Sequence, residues 1–303
     1  MGANRVSQVA LKHGLPAAVV GALLFAAAGN GSAQNPPQKA SKADLTAADQ
    51  NPIDTAALNK MLAGLPQVTF DDEGTERRYY VWEGDMLLGR DEVQAMLFAH
   101  RSLQAPARQG ELLLQVRPDG RPGVWARPKR TLTYSIDCRT FESADNCRIA
   151  EQAFTKAARD WENVCPTCGV HFRKAPATAG YRPKDGSGPT FVVRYDPEGY
   201  DYLAIAFFAN DPAFKRYLGV GPDFFTTDIS RDGILRHELG HVLGYRHEHN
   251  RAPAGCYFED NQWRALTPYD PKSVMHYLCG AGGTMQMVFT ASDRAGHRTA
   301  YGA

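Results

Sequence analysis

The sequence predicts an α+β fold in which a mixed, twisted sheet packs on two long helices. Three observations carry this expectation. Short β-prone runs at 131–137, 170–173, 190–195 and 202–209 are interleaved with helical stretches. Ala144–Val164 sets Ile149, Ala153, Ala157, Trp161 and Val164 on one stripe at helical spacing. A second stripe, made by Ile234, Leu235, Leu239, Val242 and Leu243, follows Ser230 and Asp232, two residues suited to cap a helix start.

At 303 residues the chain has room for one or two domains. Its start reads as an export signal. Arg5 and Lys12 precede an apolar run at 17–29, and Gly31-Ser32-Ala33 offers small residues for a cut after Ala33. The run is too short to span a bilayer comfortably, so 1–33 is expected to be removed, leaving a secreted or periplasmic protein with no stable membrane span. Residues 34–65, rich in Gln, Pro, Lys, Ala and Asp with little periodicity, read as a flexible linker. Residues 66–130 read as a small pro-region or N-terminal extension. It has a strand at 78–88, a helix at 91–103 with Val93, Met96, Leu97 and His100 on one face, and a strand at 111–116 turned by Pro118-Asp119-Gly120. The basic run Arg127-Pro128-Lys129-Arg130 suits either a processing site or the solvated lead-in to the strand at 131–137. In the second case 66–130 stays attached as part of the fold. The main domain is expected over 131–303, closing with a short helix near 292–300. A net charge of +1, with 22% charged residues, gives no bulk field toward nucleic acid or anionic membranes.

All six cysteines (Cys138, Cys147, Cys165, Cys168, Cys256 and Cys279) lie in the main domain, as suits an oxidising compartment. Six cysteines allow 15 connectivities. The expected set is three local bridges: Cys138–Cys147, Cys165–Cys168 and Cys256–Cys279, the last tying the loop after His247 to the 273–277 turn. Cys165-Pro-Thr-Cys168 has the spacing of a redox motif but no thioredoxin-like βαβ context around it.

Residues 237–247 read HELGHVLGYRH. Positions i and i+4 of a helix share one face, so His237 and His241 can offer two imidazoles to one metal ion, with Glu238 beside them. Gly244 can leave the helix at positive φ and let the chain bring His247 back as a third nitrogen ligand. Three histidines with an open fourth position describe a catalytic zinc site. A bare HExxH arises by chance on surface helices; the added glycine and third histidine make chance a poor account. His13, His100, His171, His249 and His297 are not assigned to the metal, with His249 expected to be exposed, and His276 is left as structural.

Residues 273–277 read SVMHY, some thirty positions after His247. With HExxHxxGxxH, this methionine turn resembles the metzincin metalloproteases, and SxMHY, Glu248 and Arg251 resemble the astacin branch. Pro253 and Tyr245 depart from the astacin pattern, which points to a divergent, bacterial member. The resemblance implies a metzincin-like catalytic domain with a smaller C-terminal subdomain, Met275 as a floor under the histidines, and Tyr277 as a ligand that swings to the oxyanion. It implies a zinc endopeptidase acting through a zinc-activated water, with Glu238 as general base. It also bears on Trp82-Glu83-Gly84-Asp85, since astacin propeptides resemble this motif and use the aspartate to hold zinc silent until an activating protease acts. Gly-Asp equally suits a β-turn between two strands. The apolar run 202–209 lies where the family pairs an extended peptide substrate with an edge strand, although such a run can as well be a buried strand. Two rivals remain: a zinc amidase acting on non-protein peptides, and a binding protein that keeps the fold without turnover. The retained Glu238 argues against the second.

Overall fold

The computed structural model describes residues 55–72, 75–82, 84–94, 112–117, 120–175, 188–199, 202–251, 256 and 263–302. The export signal, the chain as far as residue 54, and His13 and His100 lie outside the described residues. So does most of the helix expected at 91–103, of which 91–94 is helical.

Helix α1 (Thr55–Ala63) falls within the stretch expected to be a linker. The composition of 34–54 hid a short pattern of Leu58, Met61 and Leu62 at helical spacing, and all three are buried. The single strand expected at 78–88 is two strands. β1 (Gln67–Asp72), β2 (Thr75–Trp82) and β3 (Met86–Gly89) form an antiparallel sheet in that order, and Gly84 turns β2 into β3 at φ 94°. Only glycine takes that conformation cheaply. The period-2 alternation of strands gives this sheet two apolar faces. Tyr80, Trp82, Met86 and Leu88 pack with α1, whereas Val68, Phe70, Val81 and Leu87 pack against Tyr202, Ile205 and Tyr217.

β4 (Leu113–Gln115) pairs antiparallel with β10 (Trp263–Ala265). The main sheet holds β5 (Thr131–Ile136), β6 (His171–Lys174), β7 (Phe191–Tyr195), β8 (Ala204–Ile205) and β9 (Tyr217–Val220) in the order β6-β5-β7-β9-β8. All neighbours are parallel except β8, which runs antiparallel to β9 at the edge. A parallel pair needs a crossover, and α2 (Ala144–Val164) supplies the one between β5 and β6. α2 packs on α3 (Arg231–Val242), with Trp161 Nε1 donating to Arg236 O at 2.8 Å. α4 (Ala291–Tyr301) closes the described chain. The molecule is α+β, with its main core between α2, α3 and the main sheet.

One further expectation is corrected. The eight-residue run 202–209 contributes a strand of only Ala204–Ile205, because Asp211 Oδ2 accepts the Phe208 N–H at 2.7 Å and turns the chain away. The boundary drawn at residue 130 does not coincide with a break in packing: Leu112, Leu114 and Trp125 sit in the main core, and buried Arg130 donates to Cys168 O and Tyr301 O. The basic run is split, with Arg130 buried while Arg127 and Lys129 are exposed. The three disulfides join Cys138–Cys147, Cys165–Cys168 and Cys256–Cys279, the expected pairing.

Candidate metal centre

α3 carries His237 and His241 one turn apart on a helix that is buried from Gly233 to Val242. Ser230 caps it, its hydroxyl accepting the Gly233 N–H. At the other end Gly244 N donates to His241 O at 2.8 Å and Tyr245 N to Gly240 O at 2.9 Å. This is a Schellman cap, closed by Gly244 at φ 93°. A side chain on Gly244 would collide with the Gly123 carbonyl. β4 then pins the returning chain, since Gln115 N donates to Gly244 O and Arg246 N to Leu113 O. His247 emerges from this held turn fully buried.

The imidazoles are oriented from behind. His237 Nδ1 lies 2.8 Å from Val274 O, and His241 Nδ1 lies 2.8 Å from Tyr245 O. A carbonyl only accepts, so both Nδ1 atoms carry the proton and both Nε2 atoms turn lone pairs inward. Nε2 of His241 and His247 stand 3.2 Å apart. Asp85 Oδ2 stands 3.1 Å from His237 Nε2, 3.4 Å from His241 Nε2 and 3.0 Å from His247 Nε2. Lone pairs and a carboxylate oxygen crowded this closely repel one another unless a cation lies among them. Asp85 Oδ1 and Glu238 Oε2 are buried without a hydrogen-bond partner among the described residues. Three nitrogen donors and one carboxylate oxygen fit zinc. Burial, and then the charge of Asp85, pushes the Glu238 carboxyl well above its usual range, and burial brings His241 down to about 4, keeping its imidazole neutral near neutral pH.

Asp85 reaches this point through the Gly84 turn, so the turn and the approach to the histidines are features of one hairpin. Its carbonyl accepts the Ala206 N–H at 3.2 Å, and Met86 bridges Ala206 in parallel. The hairpin thus lies along the free edge of β8.

Met275 is fully buried, and a Cβ on Gly240 would strike its sulfur. Its carbonyl accepts the Glu248 N–H, joining the 273–277 turn to the residue after His247. The Tyr277 ring centroid lies 4.3 Å from that of His247 and 5.5 Å from that of His237. A Cβ on Gly84 would stand 4.0 Å from the Tyr277 hydroxyl.

Two residues escaped the sequence reading. Asp293 is buried in the first turn of α4, where it accepts from Ser273 Oγ at 2.6 Å and from Val274 N at 3.0 Å. It therefore fixes the carbonyl that orients His237. The Thr290-x-x-Asp293 capping box starts the helix expected near 292–300, but nothing in its spacing marks Asp293 as an anchor for the turn. His249, expected to be exposed, is fully buried, with its ring 4.8 Å from His247 and 4.7 Å from Tyr277. The 3₁₀ turn Glu248–Arg251 folds it under the 273–277 segment. His276 behaves as the structural residue expected, with Nδ1 against Tyr277 O and Nε2 against the Tyr269 hydroxyl. A second grouping, His249, His276 and Cys279, lacks a thiolate because Cys279 is bridged to Cys256.

No family model matches the chain. It is 42% identical over 62 residues to an astacin-like metalloendopeptidase from Mus musculus, a match covering 15% of this chain and 14% of that protein. Two solved chains of myroilysin also match, both weakly. The first is at 17% identity and TM-score 0.42, covering 63% of this chain and 98% of that one. The second is at 16% and 0.38, covering 63% and 92%. The chain thus spans about a seventh of the length of the astacin-like relative, and Asp85, His237, His241 and His247 form a group able to hold a metal ion.

Proposed function

We propose that the chain is an exported zinc endopeptidase made as a latent precursor. The observation that carries this reading is the convergence of three imidazole Nε2 atoms and the Asp85 carboxylate at 3.0–3.4 Å, with two Nδ1 atoms held by backbone carbonyls. When bound there by His237, His241 and His247, zinc supplies Lewis acidity toward a peptide carbonyl and toward water. Glu238, the neighbour of His237 on the same helix, takes a proton from water and returns it to the leaving amine. Tyr277 donates its hydroxyl to the developing oxyanion. The β8 edge, antiparallel to β9 and flanked on its other side by the Asp85–Met86 hairpin, pairs with an extended peptide once that hairpin is gone. Asp85 would be a further ligand to that zinc, and its hairpin lies along the same edge, so metal and peptide edge would be blocked together.

The test combines metal analysis with peptide hydrolysis. Glu238→Ala is expected to keep stoichiometric zinc and to lose about 10²–10⁴-fold in turnover once the chain is processed. Near-normal turnover by that variant would sink the assignment. A zinc-loaded, folded protein inert on all polypeptides would favour an amidase of non-protein peptides or a binding role.

A further inference from the structure

We propose that residues 55–94 form a separable inhibitory unit that stays docked on the β8–β9 face after the chain behind it is cut. The inhibitory half of this proposal rests on the latent-peptidase reading; the docking half does not.

The unit has a core of its own. Leu58, Met61, Leu62, Tyr80, Trp82 and Met86 lie in a buried cluster to which the rest of the chain contributes only Phe208 among the described residues. Its sheet has three strands among the described residues, and that sheet's polar ties to the main domain centre on Asp85, whose carbonyl accepts the Ala206 N–H and whose carboxylate meets the three histidines. The opposite sheet face is the docking surface. Val68, Phe70, Val81 and Leu87 close over Tyr202, Ile205 and Tyr217, and Phe70 meets Phe214 and Tyr217 with ring centroids 6.3 and 5.2 Å apart. At its rim Lys215, only 1% exposed, sits between Asp211 at 3.1 Å, Glu92 at 3.7 Å and the Tyr79 ring.

None of these contacts depends on the peptide bonds that join the unit to Leu112. Cutting them removes tethering alone and leaves the apolar face and the buried Lys215 where they were. Undocking would expose a contiguous apolar patch on both partners, which monomeric surfaces rarely tolerate. The segment Leu112–Arg130 behaves differently, being packed into the main core. Processing is therefore only the first step of activation. The unit must then be displaced or digested, and at about 40 residues it is marginal when free, so that its loss is one-way.

The test uses the full chain with a recognition sequence for a specific protease inserted between residues 94 and 112, cut to completion. For the docking half, on a Glu238→Ala background, the two fragments are expected to coelute in size exclusion at micromolar concentration. Leu87→Asp on the unit, or Phe214→Lys on the main domain, is expected to separate them; Asp85→Ala is not. Separate elution of the unaltered fragments, or separation by Asp85→Ala alone, overturns the proposal. Two variants on opposite partners guard against either one misfolding, and the melting curve of the separated main domain checks Phe214→Lys. For the inhibitory half, cut unaltered protein is expected to hydrolyse peptide at least tenfold more slowly than cut Phe214→Lys. Equal rates overturn inhibition. Silence of both on every peptide overturns the peptidase reading and the inhibitory half with it, while coelution still decides docking.

Discussion

Asp85 was legible in the sequence as either a turn residue or a metal ligand, and it is in the geometry of both. Gly84 at φ 94° makes the turn, and the turn delivers the carboxylate to three imidazoles 152 or more positions away in the chain. In the uncut chain, Asp85→Ala is expected to raise hydrolysis of a small peptide above that of the unaltered precursor; equal hydrolysis would leave Asp85 as a turn residue only. His249 was misread because nothing local announces burial: its environment is built by the 273–277 segment, which only the fold brings near. His297 is another buried imidazole, with Nδ1 against the Tyr245 hydroxyl at 2.8 Å and its ring against Trp161. Burial, and then the charge of Arg130, lowers it to about 4. Its folded pKa lies below the unfolded 6.5, so the neutral form's contribution is fully present above that value and is lost as pH falls toward 4. Over that window His297 alone removes up to about 3 kcal/mol of stability. The melting temperature is expected to drop between pH 6.5 and 4, and His297→Gln to flatten that slope.

Elements were legible where a period repeats and vague where it does not. Ala144–Val164 was read to the residue, because its apolar stripe runs unbroken between the Ser143 cap and Cys165. α3 was legible from its ligands, its cap and Gly244. β8 was overestimated, since an apolar run carries no mark of where Asp211 will turn it. The hold of α4 on the 273–277 turn was invisible, because it depends on a side chain 19 and 20 positions away. Asp293→Ala removes the partners of Ser273 and Val274, leaving buried donors unsatisfied. It is expected to cost about 2–4 kcal/mol of stability and, by loosening Val274 O behind His237, about 10–100-fold in zinc affinity. Chelator competition and thermal melts measure the two; unchanged zinc affinity would show that the turn holds itself.

The whole molecule is where the sequence said least. Its fold class followed from the order of elements, and the disulfide set from proximity along the chain. That β1–β3 would form a second sheet with one face for α1 and the other for β8–β9 did not follow, because alternation reveals two apolar faces but not what covers each. Nor did the role of β4, whose three residues are too few to carry a period, yet they bond both sides of the turn that presents His247. No helix among the described residues is long and apolar enough to cross a membrane.

The dependence of His237 on Asp293, through Val274, also sets the order in which the protein can come alive during its synthesis. A ribosome makes Asp85 first, the three histidines long afterwards and α4 later still. Until the chain has been made past Asp293, Ser273 and Val274 lack their carboxylate partner, and the turn behind His237 is held less firmly. A chain stopped before Ala291 is expected to purify with substoichiometric zinc, and full zinc in that truncated form would show that the centre assembles without its last helix.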